Sequence, residues 1–186
     1  MKKKHIIYTA SAVIAIGAAT FLLWPKKNIP QGVEAVKSFN KERYLGKWYE
    51  IARFDFRFEK GLSHVTAEYS LNSDGTIKVI NRGYNAKKDE FNEAIGKAKF
   101  VKDDSIAELK VSFFGPFYSG YNVIAIDPDY QNALVVGKNR DYMWLLSRNT
   151  EMPEDIKKAY LNLAEKHGFD TSKLLWTKHD KSLITP

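Results

Sequence analysis

Polar and apolar residues alternate one by one through the middle of this chain. Val65, Ala67, Tyr69 and Leu71 alternate with His64, Thr66, Glu68 and Ser70. Ala94, Gly96, Ala98 and Phe100 interleave with Ile95, Lys97, Lys99 and Val101, and Leu109, Val111 and Phe113 interleave with Lys110 and Ser112. On a further run Ile77 and Val79 share a face with Asn81, so that face carries a polar group. A period of two belongs to strands with one face covered and the other in water. Such runs predict eight strands, near 46–55, 63–72, 76–84, 92–101, 105–114, 120–127, 131–138 and 141–148. Asn72-Ser73-Asp74-Gly75, Lys102-Asp103-Asp104-Ser105 and Asp127-Pro128-Asp129 punctuate them as turns. Short strands at regular spacing indicate an all-β sandwich or barrel.

The period changes at both ends of this region. From Pro153 to His167 the apolar residues Ile156, Ala159, Tyr160 and Leu163 recur at helical spacing, and Gly168 supplies the stop. One helix after eight strands packs on the outside of a barrel. The tail, 169–186, is polar with an apolar interruption at Leu174-Leu175-Trp176, expected to lie across the surface. At the other end Ile6 to Trp24 forms an uncharged, largely apolar stretch of 19 residues, flanked by Lys2, Lys3 and Lys4 and by Lys26 and Lys27. Its length is close to the roughly 20 residues that span a bilayer as a helix. A cut near Ala15-Ile16-Gly17 would leave Phe21-Leu22-Leu23-Trp24 exposed, which favours an uncleaved anchor over a cleaved signal peptide. The lysines at the extreme terminus keep that end inside and send the folded domain to the periplasm or exterior. The expected divisions are a signal peptide or anchor at 1–27, a linker and closing segment at 28–45, a barrel at 46–150, and a helix and tail at 151–186.

Charge and composition narrow the function classes. The net charge is +7, but five of the 29 basic residues lie in residues 1–27 with no acid among them, so the remainder is close to neutral. A basic nucleic-acid surface would survive that subtraction, and none does. The absence of cysteine removes disulfides, thiol catalysis and cysteine metal sites. None of His5, His64, His167 and His179 has metal-ligand spacing with another, and His64 reads as a solvated surface residue. No cofactor is implied.

In an eight-stranded meander, alternate connections share an end. Gly46 and Trp48 at the start of strand one, the Asp127–Tyr130 turn, and Arg148 at the finish of strand eight then converge. A guanidinium over an indole face contributes about 0.5–2 kcal/mol, and its spare donors can hold nearby carbonyls. This group closes one end and is structural. Gly46-x-Trp48, the Asp-Tyr turn and Ser147-Arg148 match the three signature regions of lipocalins. Longer strings, GKWYEIARFDFRFEKGLSHVTAEYS, LKVSFFGPFY and YMWLLSRN, resemble the bacterial members near the outer-membrane lipocalin and apolipoprotein D group, over about residues 38–170. The resemblance implies an eight-stranded antiparallel up-and-down barrel with the helix outside. Those bacterial relatives commonly carry an acylated N-terminal cysteine, which this chain lacks.

Alternation and topology together give an inward set. Val65, Ala67, Tyr69 and Val79 would line the cavity with Asn81 and Ala98. Leu109, Val111, Tyr121, Val123, Tyr142 and Trp144 complete it. The set is mostly apolar and suits an acyl chain, whose burial gains about 0.8 kcal/mol per CH₂. At the opposite, open end Phe56, Phe58, Phe113 and Phe117 form an aromatic mouth, where Arg53, Arg57, Lys60 and Arg140 would hold a carboxylate or phosphate head. The same aromatics can fold back as a cap. The expected function is reversible binding of fatty acids or lysophospholipids at the outer side of a bacterial membrane, with attachment through the N-terminal segment and no catalytic residue. Two further readings stand beside it. One is a lipocalin-fold enzyme acting on a lipid, with Glu50 beside Arg53 as its carboxylate. The other is an interaction module, homodimerisation included, using the Phe-rich rim.

Overall fold

The computed structural model describes residues 27–56 and 59–180. The apolar stretch at 6–24, and Arg57 and Phe58 of the expected mouth, lie outside the described residues. A single helical turn, α1 (Lys41–Tyr44), precedes β1 (Gly46–Phe54), β2 (Leu62–Leu71), β3 (Ile77–Asn85), β4 (Glu90–Phe100), β5 (Glu108–Phe114), β6 (Phe117–Ile126), β7 (Asn132–Val136) and β8 (Met143–Ser147). Helix α2 (Glu154–Lys166) and a 3-10 turn (Thr171–Lys173) lead to a short β9 (Leu174–Trp176). Each strand from β1 to β8 pairs antiparallel with the next, and β1 pairs with β8, closing the expected barrel.

Two apolar layers follow from the alternation. Trp48, Tyr69, Val79, Leu109, Val123 and Leu146 meet inside the barrel. Ile51, Ile124, Leu134, Val136, Met143 and Leu145 point outward and are covered by Tyr160 and Ala164 of α2. Strands β7 and β8 are therefore buried on both faces and read as continuous apolar runs. Tyr160 also donates its hydroxyl to the Asn132 carbonyl at 3.0 Å, fixing the helix against β7.

Two segments depart from the expected divisions. The tail does not merely cross the surface. β9 pairs with the second half of β1, Ala52 facing Trp176 and Phe54 facing Leu174. The first half of β1 pairs with β2 over Gly46–Tyr49 only. Beyond that the tail fills the seam, the Thr177 amide donating to Ile51 and the His64 amide donating to Lys178. β9 thus extends the sheet to Trp176, beyond the eight strands of the meander. The leading segment also adds to the wall: the Val36 amide donates to Val123 at 2.9 Å and the Ala107 amide to Val36 at 2.9 Å. Fully buried Asn122 exchanges side-chain hydrogen bonds with Asn28. A β-carbon on Gly120 would lie 2.1 Å from the Asn28 carbonyl, so glycine is what lets the segment dock there.

Candidate functional site

The barrel has a filled end and an open end. At the filled end the Arg148 guanidinium lies 3.9 Å from the centre of the Trp48 ring. Its nitrogens donate to five carbonyls, those of Arg43, Tyr44, Leu45, Lys47 and Tyr130. Gly46, with φ +92°, leaves room for this: a β-carbon there would be 3.4 Å from Arg148 Nη1. Asp127 accepts from the Gln131 amide and from Asn132 Nδ2, which holds the turn. Tyr130, at φ +58°, uses its hydroxyl to accept from the Asn40 amide at 2.8 Å. Phe39 and Tyr44, from the segment treated as a linker in the sequence, pack inside against Trp48, Tyr69, Phe100 and Tyr130.

The interior above this plug is apolar with a few polar atoms. Ala67, Tyr69, Val79, Ala98, Leu109 and Val123 belong to its buried cluster, and Val111, Tyr121, Trp144 and Phe113 pack against it. Val65 is buried beside Gly83. Tyr121 bridges two tyrosines, its hydroxyl 2.6 Å from that of Tyr44 and 2.7 Å from that of Tyr69. Burial pushes all three phenols well above their ordinary range, so each stays neutral. Asn81, facing Ala67 across the β2–β3 pair, keeps a buried amide oxygen without a hydrogen-bond partner.

The mouth residues divide three ways. Phe56 folds inward, its ring edge-on to both Tyr142 and Trp144 at 5.7 Å. Phe113 occupies space that Gly96 leaves free, where a β-carbon would be 2.8 Å from its ring. Phe117 remains 78% exposed and its neighbour Phe114 67%. A hollow of about 450 Å³ opens between Asp55, Lys60, Gly61, Asn85 and Lys87.

Of the three arginines expected at the mouth, Arg140 and Arg53 are engaged by other groups. Arg140 is on the outside, donating to the His167 and Gln31 carbonyls, because the end of α2 returns beside it. Arg53 is fully buried and ion-paired with Glu50 on its own strand and Glu59 on the β1–β2 connection. The cause is a register shift between Glu50 and Ala52, which breaks strict alternation and turns Glu50 and Arg53 to one side. Arg53 Nη2 donates to the Glu59 and Leu62 carbonyls at 2.7 and 3.3 Å. Its Nε has no hydrogen-bond partner. Trp144 Nε1 reaches Glu59 Oε2 at 3.4 Å.

The tail completes this cluster. Thr177 donates its hydroxyl to Glu50, and His179 Nε2 lies 2.7 Å from the Glu50 carbonyl. His64, expected in solvent, is buried beside His179 with ring centres 6.1 Å apart. Burial raises the Glu50 carboxyl, and burial together with Glu50 pushes Glu59 up to about 8. Burial also holds His179 below the usual imidazole range. Among the described residues no group of three or more His, Asp or Glu side chains is placed to hold a metal ion. Thr177 and His179 have no sequence signal, and Glu59, though inside the longest string that carries the resemblance, is singled out by nothing in it.

Comparison with known proteins accords with this geometry. The model of the lipocalin-like domain family matches residues 39–179. The outer membrane lipoprotein Blc of Citrobacter freundii is 52% identical over 168 residues, covering 89% of this chain and 95% of that protein. Its counterpart from Escherichia coli K12 is 49% identical over 172 residues, covering 91% and 97%. Among solved structures, the cockroach allergen Per a 4 superposes with a TM-score of 0.66 at 17% identity over 85% of this chain, a likeness of fold.

Proposed function

This chain belongs to the lipocalin-like family, and from that premise we propose that its barrel reversibly binds single-chain lipids, fatty acids or lysophospholipids, as a carrier at the cell envelope. The observation that carries the reading is the difference between the two barrel ends. One is plugged by Arg148, Trp48, Tyr44 and Phe39. The other carries a hollow flanked by Lys60 and Lys87 above an interior whose Asn81 oxygen lacks a partner. An acyl chain enters from the open end and lies against the apolar wall, with each buried CH₂ contributing about 0.8 kcal/mol. Its polar head stays near the mouth.

The relatives are named outer membrane lipoproteins, which supports a place at the bacterial envelope. The lysine-flanked apolar stretch at 6–24 would supply the attachment in a chain without cysteine. The role is binding rather than catalysis: the Glu50 and Arg53 side chains neutralise each other inside the wall.

Native mass spectrometry of the protein purified from membranes tests this. A fatty acid or lysophospholipid at one per chain, identified after denaturation, is the expected result. Protein that arrives empty and takes up no added lipid overturns it. The exposed tip of the β5–β6 hairpin favours a second reading, a contact surface through Phe114 and Phe117. A Phe117→Ser variant that alters size-exclusion behaviour while binding lipid normally would single out that use.

A further inference from the structure

The carrier reading leaves open which atoms receive the ligand's head, and Arg53 is one of the four side chains the sequence offers for it, with Arg57, Lys60 and Arg140. In the structure that side chain is buried and engaged on one edge only. Nη1 meets Glu50, and Nη2 meets the Glu59 and Leu62 carbonyls. Nε is buried and has no hydrogen-bond partner. A buried N–H donor without an acceptor forfeits its desolvation, which costs about 1–3 kcal/mol and more on a charged group.

A carboxyl oxygen, Glu59 Oε2, lies 3.7 Å from Nε. The same oxygen is the acceptor for Trp144 Nε1, at 3.4 Å. One oxygen thus lies between two donors, too far from each for the roughly 2.7–2.9 Å of a charge-assisted hydrogen bond. A carboxylate or phosphate head brings two or more oxygens and can satisfy both donors. The Glu59 side chain is 13% exposed while that of Arg53 is wholly covered, so an incoming head meets Glu59 first. The hollow lined by Asp55, Lys60, Gly61, Asn85 and Lys87 adjoins the same connection, and its two lysines outnumber its one aspartate.

We propose that Arg53 Nε and Trp144 Nε1 form the receptor for the anionic head of a single-chain lipid, and that the Glu59 carboxyl, now lying between them, is a built-in competitor which the head displaces. This rests on the carrier reading and names its head site. Ionised, Glu59 opposes an anionic head by occupying its place beside the guanidinium and repelling its charge, whereas an uncharged chain end neither needs that place nor meets that repulsion.

The charged and titratable groups around Glu59 are Glu50 and Arg53 of β1 and Tyr69 of β2, with His64 of β2 and His179 of the tail beside Glu50; Trp144 of β8 and Thr177 of the tail add neutral donors. Burial and Glu50 hold the Glu59 proton up to about 8. Competition is therefore weakest when Glu59 is neutral and strongest once it ionises. Preference for an anionic over an uncharged ligand should fall as pH rises through that value.

The test uses the full chain, kept soluble by an amphipathic polymer, titrated with oleate, 1-oleoyl lysophosphatidate and oleyl alcohol. In wild type and Glu59→Gln the quantity read is the affinity for each anion divided by that for the alcohol, so partition into the polymer cancels. At about pH 9, where oleate and Glu59 are both ionised, Glu59→Gln should raise the ratio about tenfold for at least one anion, the value of one charge-assisted hydrogen bond. The anion that gains identifies carboxylate or phosphate as the head. Trp144→Phe, which removes the donor and keeps a ring, should lower the same ratio.

Three outcomes overturn the proposal. They are ratios unchanged in both variants, ratios lowered by Glu59→Gln, and an equal gain for anions and alcohol, which would make Glu59 a space-filling plug. Failure of all three ligands to bind either protein would instead defeat the carrier reading.

Discussion

Arg148 fastens the end of β8 to residues that precede β1 by donating to five carbonyls at once, while its face covers Trp48. Arg148→Met keeps much of the apolar stem and strands those carbonyls. Unfolding in urea should show a loss of roughly 2–4 kcal/mol, since hydrogen bonds to charged donors each contribute about 1.5–3 kcal/mol and the set is not additive. Glu59 acts in the opposite sense. Its carboxyl binds a proton more tightly in the folded chain than in the unfolded one, so its favourable share is complete below the ordinary carboxylate range. That share is lost as pH rises toward about 8. Thermal unfolding of the wild type should therefore become easier from mildly acidic to mildly alkaline pH. Glu59→Gln should flatten the profile and be the more stable protein at the alkaline end, by roughly 1–3 kcal/mol.

At the level of elements, regular alternation made β2 to β6 legible from the sequence, and the strand ends expected there fall within three residues of those found. Helix α2 was equally plain, because four apolar residues at helical spacing end in Gly168. What escaped has identifiable causes. The shift in β1 puts Ile51 and Ala52 both against the outer layer and turns Arg53 to the side of Glu50, so Arg53 is buried in an ion pair rather than exposed at the mouth. β9 is three residues long, too short to show any period. His64 looked solvent-facing because its cover arrives from residues 178 and 179, more than a hundred positions away. At the expected mouth, whether Phe113 and Phe56 fold in depends on Gly96 and on Trp144, contacts that spacing along the chain does not show. Since the His64 amide relies on Lys178, a chain stopped after Asp170 should lose protection there. Hydrogen exchange of the peptide containing His64 should then rise to loop-like rates while β4 and β5 remain protected.

For the whole molecule, two apolar layers divide the labour. The outer one, under α2, binds β7 and β8 to the helix whatever the barrel contains. The inner one is where, on the carrier reading proposed above, a bound lipid would add contact. Ligand should therefore stabilise the protein by mass action, by about 2.7 kcal/mol at a hundred times its dissociation constant. Scanning calorimetry with increasing oleate should show a rising midpoint at a constant dependence on the logarithm of concentration.

The seam filled by the tail has a further consequence for how the molecule comes into being. Glu50 meets Thr177 across 127 positions of sequence, so its partner does not exist while the first eight strands are being made. A nascent chain can assemble its meander from neighbouring strands, a local and rapid process. Along β1, however, it must carry an open slit with a half-built pair of charges until residues 174–178 are in reach. The last stretch of wall is thus laid long after the first, and a newly exported chain is exposed at that slit to whatever lipid or strand it meets there.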